Sequence, residues 1–318
     1  MANTNSGAVT LRTIGELSDK VVTNWQVKYA DLIKKRGTEI LKFTQVIPTL
    51  TEGANLPYKE GWKRLEKIGL NERPSYETVI AQYSHREIAR YAKGLECSVI
   101  GFDDPTKQAL LMNELDALVA DAATTRPRRI FQALAGGDTD TQFTGVDGLQ
   151  IFANNHVING TTFDNLRTGD LTGANLQAAI DVLRQVPAGP GGEYLNTDGA
   201  AFSLIIPNQL EIEAAQILNG TVIHEATYNS KNPYQNIAQK IQTGWLTDAD
   251  DWYVMMEIPG LTPFVTIESN KSNGGALQPF IADSYQNVYE YKKYRWLVDL
   301  FEETYPLIPW MMVKYTNS

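Results

Sequence analysis

Cysteine is almost missing from this 318-residue chain: Cys97 is the only one, and there are three histidines. A lone cysteine forms no internal disulfide, and no Cys/His set has zinc-site spacing. Cys97 therefore reads as a small buried hydrophobe. No apolar run approaches the about 18 residues of a membrane-spanning helix. The opening MANTNSGAVTLRT has neither the basic nor the apolar region of a secretion signal. The expected setting is the cytosol, or something assembled there. Positive charge is also scarce, with 28 Lys and Arg against 37 Asp and Glu, for a net charge of −9. Proteins whose main task is gripping phosphate need clustered cations to displace counterions. Only short basic knots occur here, Lys34-Lys35-Arg36 and Arg126-Pro127-Arg128-Arg129.

Catalytic signatures are missing too. HEATY at 224–228 opens like the zinc-protease helix motif, but Tyr228 stands where the second histidine belongs. GPGGEY at 189–194 has the wrong spacing and context for a nucleotide loop and reads as a turn. Neither a phosphate-cradling G-x-x-x-x-G-K-[ST] nor a nucleophile elbow G-x-S-x-G is present. Asp138, Asp140 and Asp147 invite a calcium reading, but the central glycine and closing glutamate of an EF-hand loop are absent, so a solvated turn is the better reading. His85 and His224 read as ordinary surface or hydrogen-bonded histidines. In DGLQIFANNHVINGTTFDN (147–165), His156 has no proposed nucleophile or orienting acid. Asn154, Asn155 and His156 are expected to satisfy loop backbone groups, so that this loop is shape rather than chemistry. The sequence thus proposes no catalytic, cofactor-binding or metal-ligating residue.

What is present is core-forming material: 43% of residues are hydrophobic, enough for a sizeable core and, by length, about two domains. Residues 14–36 read as a helix, with Ile14, Leu17, Val21, Trp25 and Leu32 at helical steps, a basic last turn and Gly37 as stop. Residues 43–100 differ. Scattered aromatics, turn residues and short alternations (Tyr76, Thr78, Ile80, Gln82; Ser98-Val99-Ile100) suggest strand, with no apolar face long enough for a core of its own. Asp103-Asp104-Pro105 then supplies cap, first-turn proline and negative charge for a long helix. Leu111, Leu115, Leu118, Val119 and Ala122 make its stripe, and Ile130, Phe131 and Leu134 continue it to Gly136-Gly137. Pro127 is expected to kink or divide it. Thr172 caps a helix with Leu176, Ala179, Ile180 and Leu183 on one face, and PAGPGG (187–192) ends it. FSLIIP (202–207) is a buried strand leading into a helix carrying Leu210, Ala214, Ile217 and Leu218. WYVMMEI, PFVTIES, VYEYKKYRWLVDLF and WMMVKY make the close β-rich.

The order of these elements, with GFDDP (101–105), LAGG (134–137), DGLQIFANNH (147–156), FDNL (163–166), LIIPNQLEIEAAQIL (204–218), NPYQN (232–236), DDWYV (250–254) and TPF (262–264), resembles the major head subunit of Mu-like bacteriophages, within the Hong Kong 97-like capsid fold. The first 40 residues and the tail EETYPLIPWMMVKYTNS match nothing specific in that family. The resemblance implies an α+β fold with an N-terminal arm (1–42), an extended E-loop and flanking strands (43–100), a peripheral-domain spine helix (101–144), an axial domain (about 145–260), and returning peripheral-domain strands with a C-terminal segment (261–318). It implies a non-enzymatic major capsid protein, with no cofactor, whose copies form hexamers and pentamers of an icosahedral head shell. The shell would enclose double-stranded DNA without sequence-specific binding, in the virion after assembly in the host cytoplasm. Scaffolding, portal and decoration proteins are the further partners it implies, and no membrane. Tyr58, Trp62 and Leu65 are then candidates for intersubunit burial, against packing within their own chain. Lys59, Lys63 and Lys67 lie where some members of this class form isopeptide crosslinks, though a lysine on an exposed loop is ordinary. Two alternatives stand beside this reading. One is a soluble hydrolase using Asp248 with Asp250 or Asp251; the other is an encapsulin-like nanocompartment shell with protein cargo.

Overall fold

Two stretches with no polar alternation, FSLII and WYVMM, lie at the centre of the molecule because both of their faces are covered. The computed structural model describes residues 27–29, 31–32, 38–58, 82–98, 105–145, 147–158, 160–187, 194, 197, 199–224, 229–269, 277–281 and 293–317. The elements begin with α1 (Thr38–Leu41), β1 (Thr44–Thr49), β2 (Gly53–Tyr58), β3 (Gln82–Glu87), β4 (Arg90–Ser98) and α2 (Pro105–Gly136). Then come β5 (His156–Ile158), β6 (Thr161–Phe163), β7 (Leu166–Thr168), α3 (Gly173–Arg184), β8 (Ala201–Pro207) and α4 (Glu211–Asn219). Last are β9 (Val222–His224), β10 (Asn229–Lys231), β11 (Gln239–Thr243), β12 (Trp252–Glu257), β13 (Phe264–Ser269), β14 (Leu277–Ile281), β15 (Lys293–Pro306) and β16 (Met312–Thr316).

One sheet has the order β11-β8-β12-β16-β7. Phe202, Leu204, Ile206, Trp252, Val254, Met256, Val313 and Tyr315 point to one side, against Leu176, Ala179, Ile180 and Leu183 of α3 and Ala214 and Leu218 of α4. The alternate residues Ile205, Tyr253, Met255 and Met312 pack on Ile130, Phe131, Ala133 and Leu134 of α2. This is the two-residue period of a strand with apolar side chains in both phases. The face expected for α3 is the one it buries, and Thr172 Oγ1 accepts from the Asn175 amide at 3.2 Å.

A second sheet runs β1-β13-β15-β14, with β4 also paired to β15. Strand β15, 14 residues long, changes partners along its length. It lies between β14 and β4 up to Phe301, and from Glu302 onward it pairs with β13. Helix α2 joins the two sheets. Its Leu115, Val119 and Ala123 pack on Leu277, Trp296, Val298 and Leu300 of the second sheet, while Ile130 to Leu134 belong to the first. Its 32 residues give about 48 Å of rise. Pro127 does not divide it. An internal proline costs roughly 3 kcal/mol, but here the turns on either side are each anchored in a different core.

Strands β2 and β3 form a two-stranded antiparallel sheet of their own, bonded to neither large sheet. The strand expected at Tyr76 to Ile80, the Val99-Ile100 run, the Asp103-Asp104 cap and the Cys97 side chain fall outside the described residues. So does most of the helix expected over 14–36, of which the described residues 27–29 and 31–32 are helical.

Candidate assembly site

The loop after α2 is held from within. His156 is fully buried; its Nε2 donates to the Ile151 carbonyl at 3.1 Å and its Nδ1 lies 2.5 Å from Asp147 Oδ2. Asp147 Oδ1 accepts from the Leu149 amide. Buried Asn165 donates to the Ile151 and Pro309 carbonyls and accepts from the Ala153 amide. Asp164 closes a turn on the Leu166 amide. The loop is therefore scaffolding, as the sequence indicates. The groups that satisfy it are Asp147, His156 and Asn165 rather than Asn154 and Asn155, which are exposed. Gly145 stands at its mouth, where a Cβ would meet Asp147 Oδ1 and Pro309 Cγ at 2.8 Å.

Where β15 changes partners, it presents Glu302 and Glu303 to α2. Arg126 Nη2 bonds Glu302 Oε2 at 2.5 Å and Glu268 Oε2 of β13 at 3.0 Å. Arg129 Nε donates to Glu303 Oε1 at 2.7 Å, and the Tyr91 hydroxyl of β4 donates to Glu303 Oε2 at 2.6 Å. One guanidinium thus serves two carboxylates, and Glu302 is sealed in the interior. Burial pushes the Glu302 carboxyl above the ordinary carboxylate range, against the pull of Arg126 and with help from Glu268 and Glu303. Burial, then the hydrogen bond to Glu303, likewise raises the Tyr91 phenol. Glu302 Oε1, Arg126 Nε and the Tyr29 hydroxyl are buried without a hydrogen-bond partner among the described residues. A ladder of hydroxyls, Thr44 to Thr266 to Thr304, continues across β1, β13 and β15. This junction fixes the spine helix to the sheet from which β4 and, beyond β1, the β2–β3 hairpin depart.

At the hairpin root Leu56 is buried against Val265 and Ile267 of β13. Arg86 of β3 donates to the Thr144 and Gly145 carbonyls at 2.8 and 3.1 Å and lies over the Tyr305 ring at 5.1 Å. The Tyr305 hydroxyl donates to the Glu87 carbonyl at 2.8 Å. A cleft of about 550 Å³ beside the root is lined by Thr51, Glu52, His85, Glu87, Arg90 and Phe301, among others.

The residues weighed for chemistry are dispersed. Asp138 pairs with Lys314 at 3.0 Å, Asp140 caps the Gln142 amide and Asp147 holds His156, so no calcium cage forms. Asp248 accepts from the Asp250 and Asp251 amides as a turn, and Asp251 pairs with Lys314 at 2.6 Å, so the carboxylate pair of a hydrolase is not assembled. His224 ends a strand rather than sitting on a helix, and His85 bonds Asn55 across the hairpin. Among the described residues, no group of three His, Cys, Asp or Glu could hold a metal, and no helix is long and apolar enough to cross a membrane. Tyr58 ends β2, while its side chain, Trp62 and Leu65 lie outside the described residues, as do Lys59, Lys63 and Lys67 and most of GPGGEY. Sequence reasoning missed Lys314 and the Arg126–Glu302 pair, because each partner is remote in sequence, and missed Asn165, whose bonds reach both the nearby Ile151 and Ala153 and the distant Pro309.

The described residues form a mixed α+β fold in which a long helix joins two sheets and a two-stranded hairpin pairs with neither. Residues 83–298, more than half of the chain, match the family described as phage capsid protein, and the chain belongs to that family. It is a phage structural protein of the virion, not an enzyme. The fold is that of phage capsids. A structure from Mycobacterium phage Patience is similar, with a TM-score of 0.53 at 11% identity over 98% of this chain and 90% of that one. The capsid of the cyanophage P-SCSP1u gives 0.52 at 9% identity over 87% and 86%. The capsid of an empty GTA particle gives 0.51 at 11% identity over 89% and 91%. No curated protein matches the sequence. The family match is to phage capsid proteins as a whole; the Mu-like placement rests on the sequence patterns alone.

Proposed function

We propose that this chain is the repeating subunit of a phage head, closing as hexamers and pentamers around double-stranded DNA, with residues 43–100 reaching over a neighbouring copy. The observation that carries this reading is the β2–β3 hairpin: a two-stranded sheet outside both main sheets, rooted through Leu56 and Arg86. A two-stranded hairpin is marginal in water without something to pack against; β13 covers its root, and a neighbouring subunit covers what lies beyond. The arm at 1–42, a spine helix within 101–144, an axial domain over about 145–260 and the returning segment 261–318 are the accompanying layout. Tyr58, Trp62 and Leu65 are the anchors for intersubunit burial, in contacts that commonly hide about 2,000 Å² or more. Scaffolding, portal and decoration proteins are the further partners. A net charge of −9 suits a wall that confines a polyanion without gripping it.

Negative-stain microscopy with light scattering on the untagged chain tests the reading, both alone and co-expressed with its neighbouring phage genes. Rings or closed shells containing DNA are expected. A subunit that stays monomeric in both settings would end it, and closed shells loaded with a protein cargo instead of DNA would favour the nanocompartment.

A further inference from the structure

Among the described residues, few contacts tie the β2–β3 hairpin to the body. Its apolar root is Leu56 on Val265 and Ile267, with Ala54 and Ile88 alongside. Apolar contact is non-directional, so it fixes where the hairpin starts and not where it points. Among the described residues, the Thr49 and Thr51 hydroxyls donate to the Gly53 carbonyl where β2 begins, and the hydrogen bonds to the rest of the body fall on two adjacent β3 residues. Arg86 Nη2 reaches the carbonyls of Thr144 (2.8 Å) and Gly145 (3.1 Å), and the Tyr305 hydroxyl reaches the carbonyl of Glu87 (2.8 Å). Tyr305 also supplies the ring face beneath the Arg86 guanidinium. The half-buried guanidinium has no carboxylate within ion-pair distance among the described residues, and its burial lowers its pKa. A cation placed this way is costly to desolvate. What it provides is a planar fork, whose several donors define an orientation as a point charge does not.

The carbonyls it grips belong to the loop that the buried histidine holds. The Gly145 amide donates to the Leu149 carbonyl at 2.8 Å, Asp147 Oδ1 accepts from the Leu149 amide, and Asp147 Oδ2 is held by His156. A side chain at Gly145 would collide with Asp147 and Pro309. These contacts fix the 144–145 peptide where Arg86 needs it.

Building on the shell reading, we propose that Arg86 is the positioning residue for assembly. Seated on the loop 144–156 and backed by Tyr305, it aims the β2–β3 hairpin so that the segment beyond it meets a neighbouring copy. The test uses the full chain with Arg86→Ala, Arg86→Lys and Tyr305→Phe, reading hydrogen exchange in the unassembled subunit and shell yield under assembly conditions. In Arg86→Ala, amides of β2 and β3 should exchange about tenfold faster while those of β8 and β12 stay as in wild type, and shell yield should fall by a similar factor. Arg86→Lys, which keeps the charge but not the fork, should recover part of both; Tyr305→Phe, which loses only the bond to Glu87, should show a smaller change. Unchanged hairpin exchange in all three variants overturns the proposal, as does faster exchange at full shell yield. Should wild type form no shells even when co-expressed with its neighbouring phage genes, the shell reading fails by itself, while the exchange data still decide whether Arg86 holds the hairpin.

Discussion

Lys314 lies on β16 with its amine between Asp251 and Asp138, over the ring of Tyr253, and it is 3% exposed. It ties the turn after α2 to the central sheet. Removing it leaves two poorly solvated carboxylates facing each other. Lys314→Met is expected to cost about 3–5 kcal/mol, read as a drop in urea midpoint, and Asp251→Asn less, since Asp138 still balances the amine. Glu302 makes the opposite case. Its carboxyl is raised in the folded state, so folding takes up a proton between the unfolded and folded values. The associated stability is present at low pH and is lost as pH rises from the ordinary carboxylate range through the folded value. Glu302→Gln resembles the protonated side chain, so its stability relative to wild type should rise as pH climbs above the ordinary carboxylate range. Paired urea titrations check this, and a relative stability that fell with pH would contradict it. Neither residue was legible from the sequence. Asp138 reads naturally with its neighbours Asp140 and Asp147, and nothing local reveals that its partner is a lysine from the far end of the chain.

Helix α3 shows what a local period does reveal. Its buried face Leu176, Ala179, Ile180 and Leu183 follows from helical spacing, and Thr172 from the chemistry of an orphan amide. Thr172→Ala should cost about 1 kcal/mol and Ile180→Ala about 2–5 kcal/mol, both read by denaturant unfolding at unchanged slope. Helix α2 shows the limit. Pro127 breaks a helix considered alone, yet α2 is continuous because Ala123 and Ile130, on either side of the proline, are held in separate cores and Arg126 and Arg129 bond β13 and β15. The 3.6-residue stripe was visible; the two sheets beneath it were not. Strand β15 is similar. Its apolar run suggests a strand, but its change of partner at Glu302 depends on β4, β13 and β14, which lie up to some two hundred positions away.

At the scale of the whole molecule, the informative feature is a stretch that does not complete a core within itself. Residues 43–100 lack a continuous apolar face, and their described strands are β1 paired with β13, a hairpin rooted on β13, and β4 paired with β15. This was legible in the sequence as a deficit of apolar face. That Leu56 packs on Val265 and Ile267 was not legible, because β13 lies some two hundred positions away. Tyr58 and Gln82 face each other across the hairpin, so residues 59–81 can be replaced by Asn-Gly, whose positive backbone angles suit a two-residue turn. We expect the shortened subunit to keep its unfolding temperature within roughly 2–4 °C, the shift that about 1 kcal/mol produces in a domain of 150–250 residues, and to form no shells. Loss of the folded subunit would instead place Trp62 and Leu65 in the chain's own core. Shells at wild-type yield would show that the segment is not a contact between copies, and the function argued from the hairpin would then need another interface to carry it.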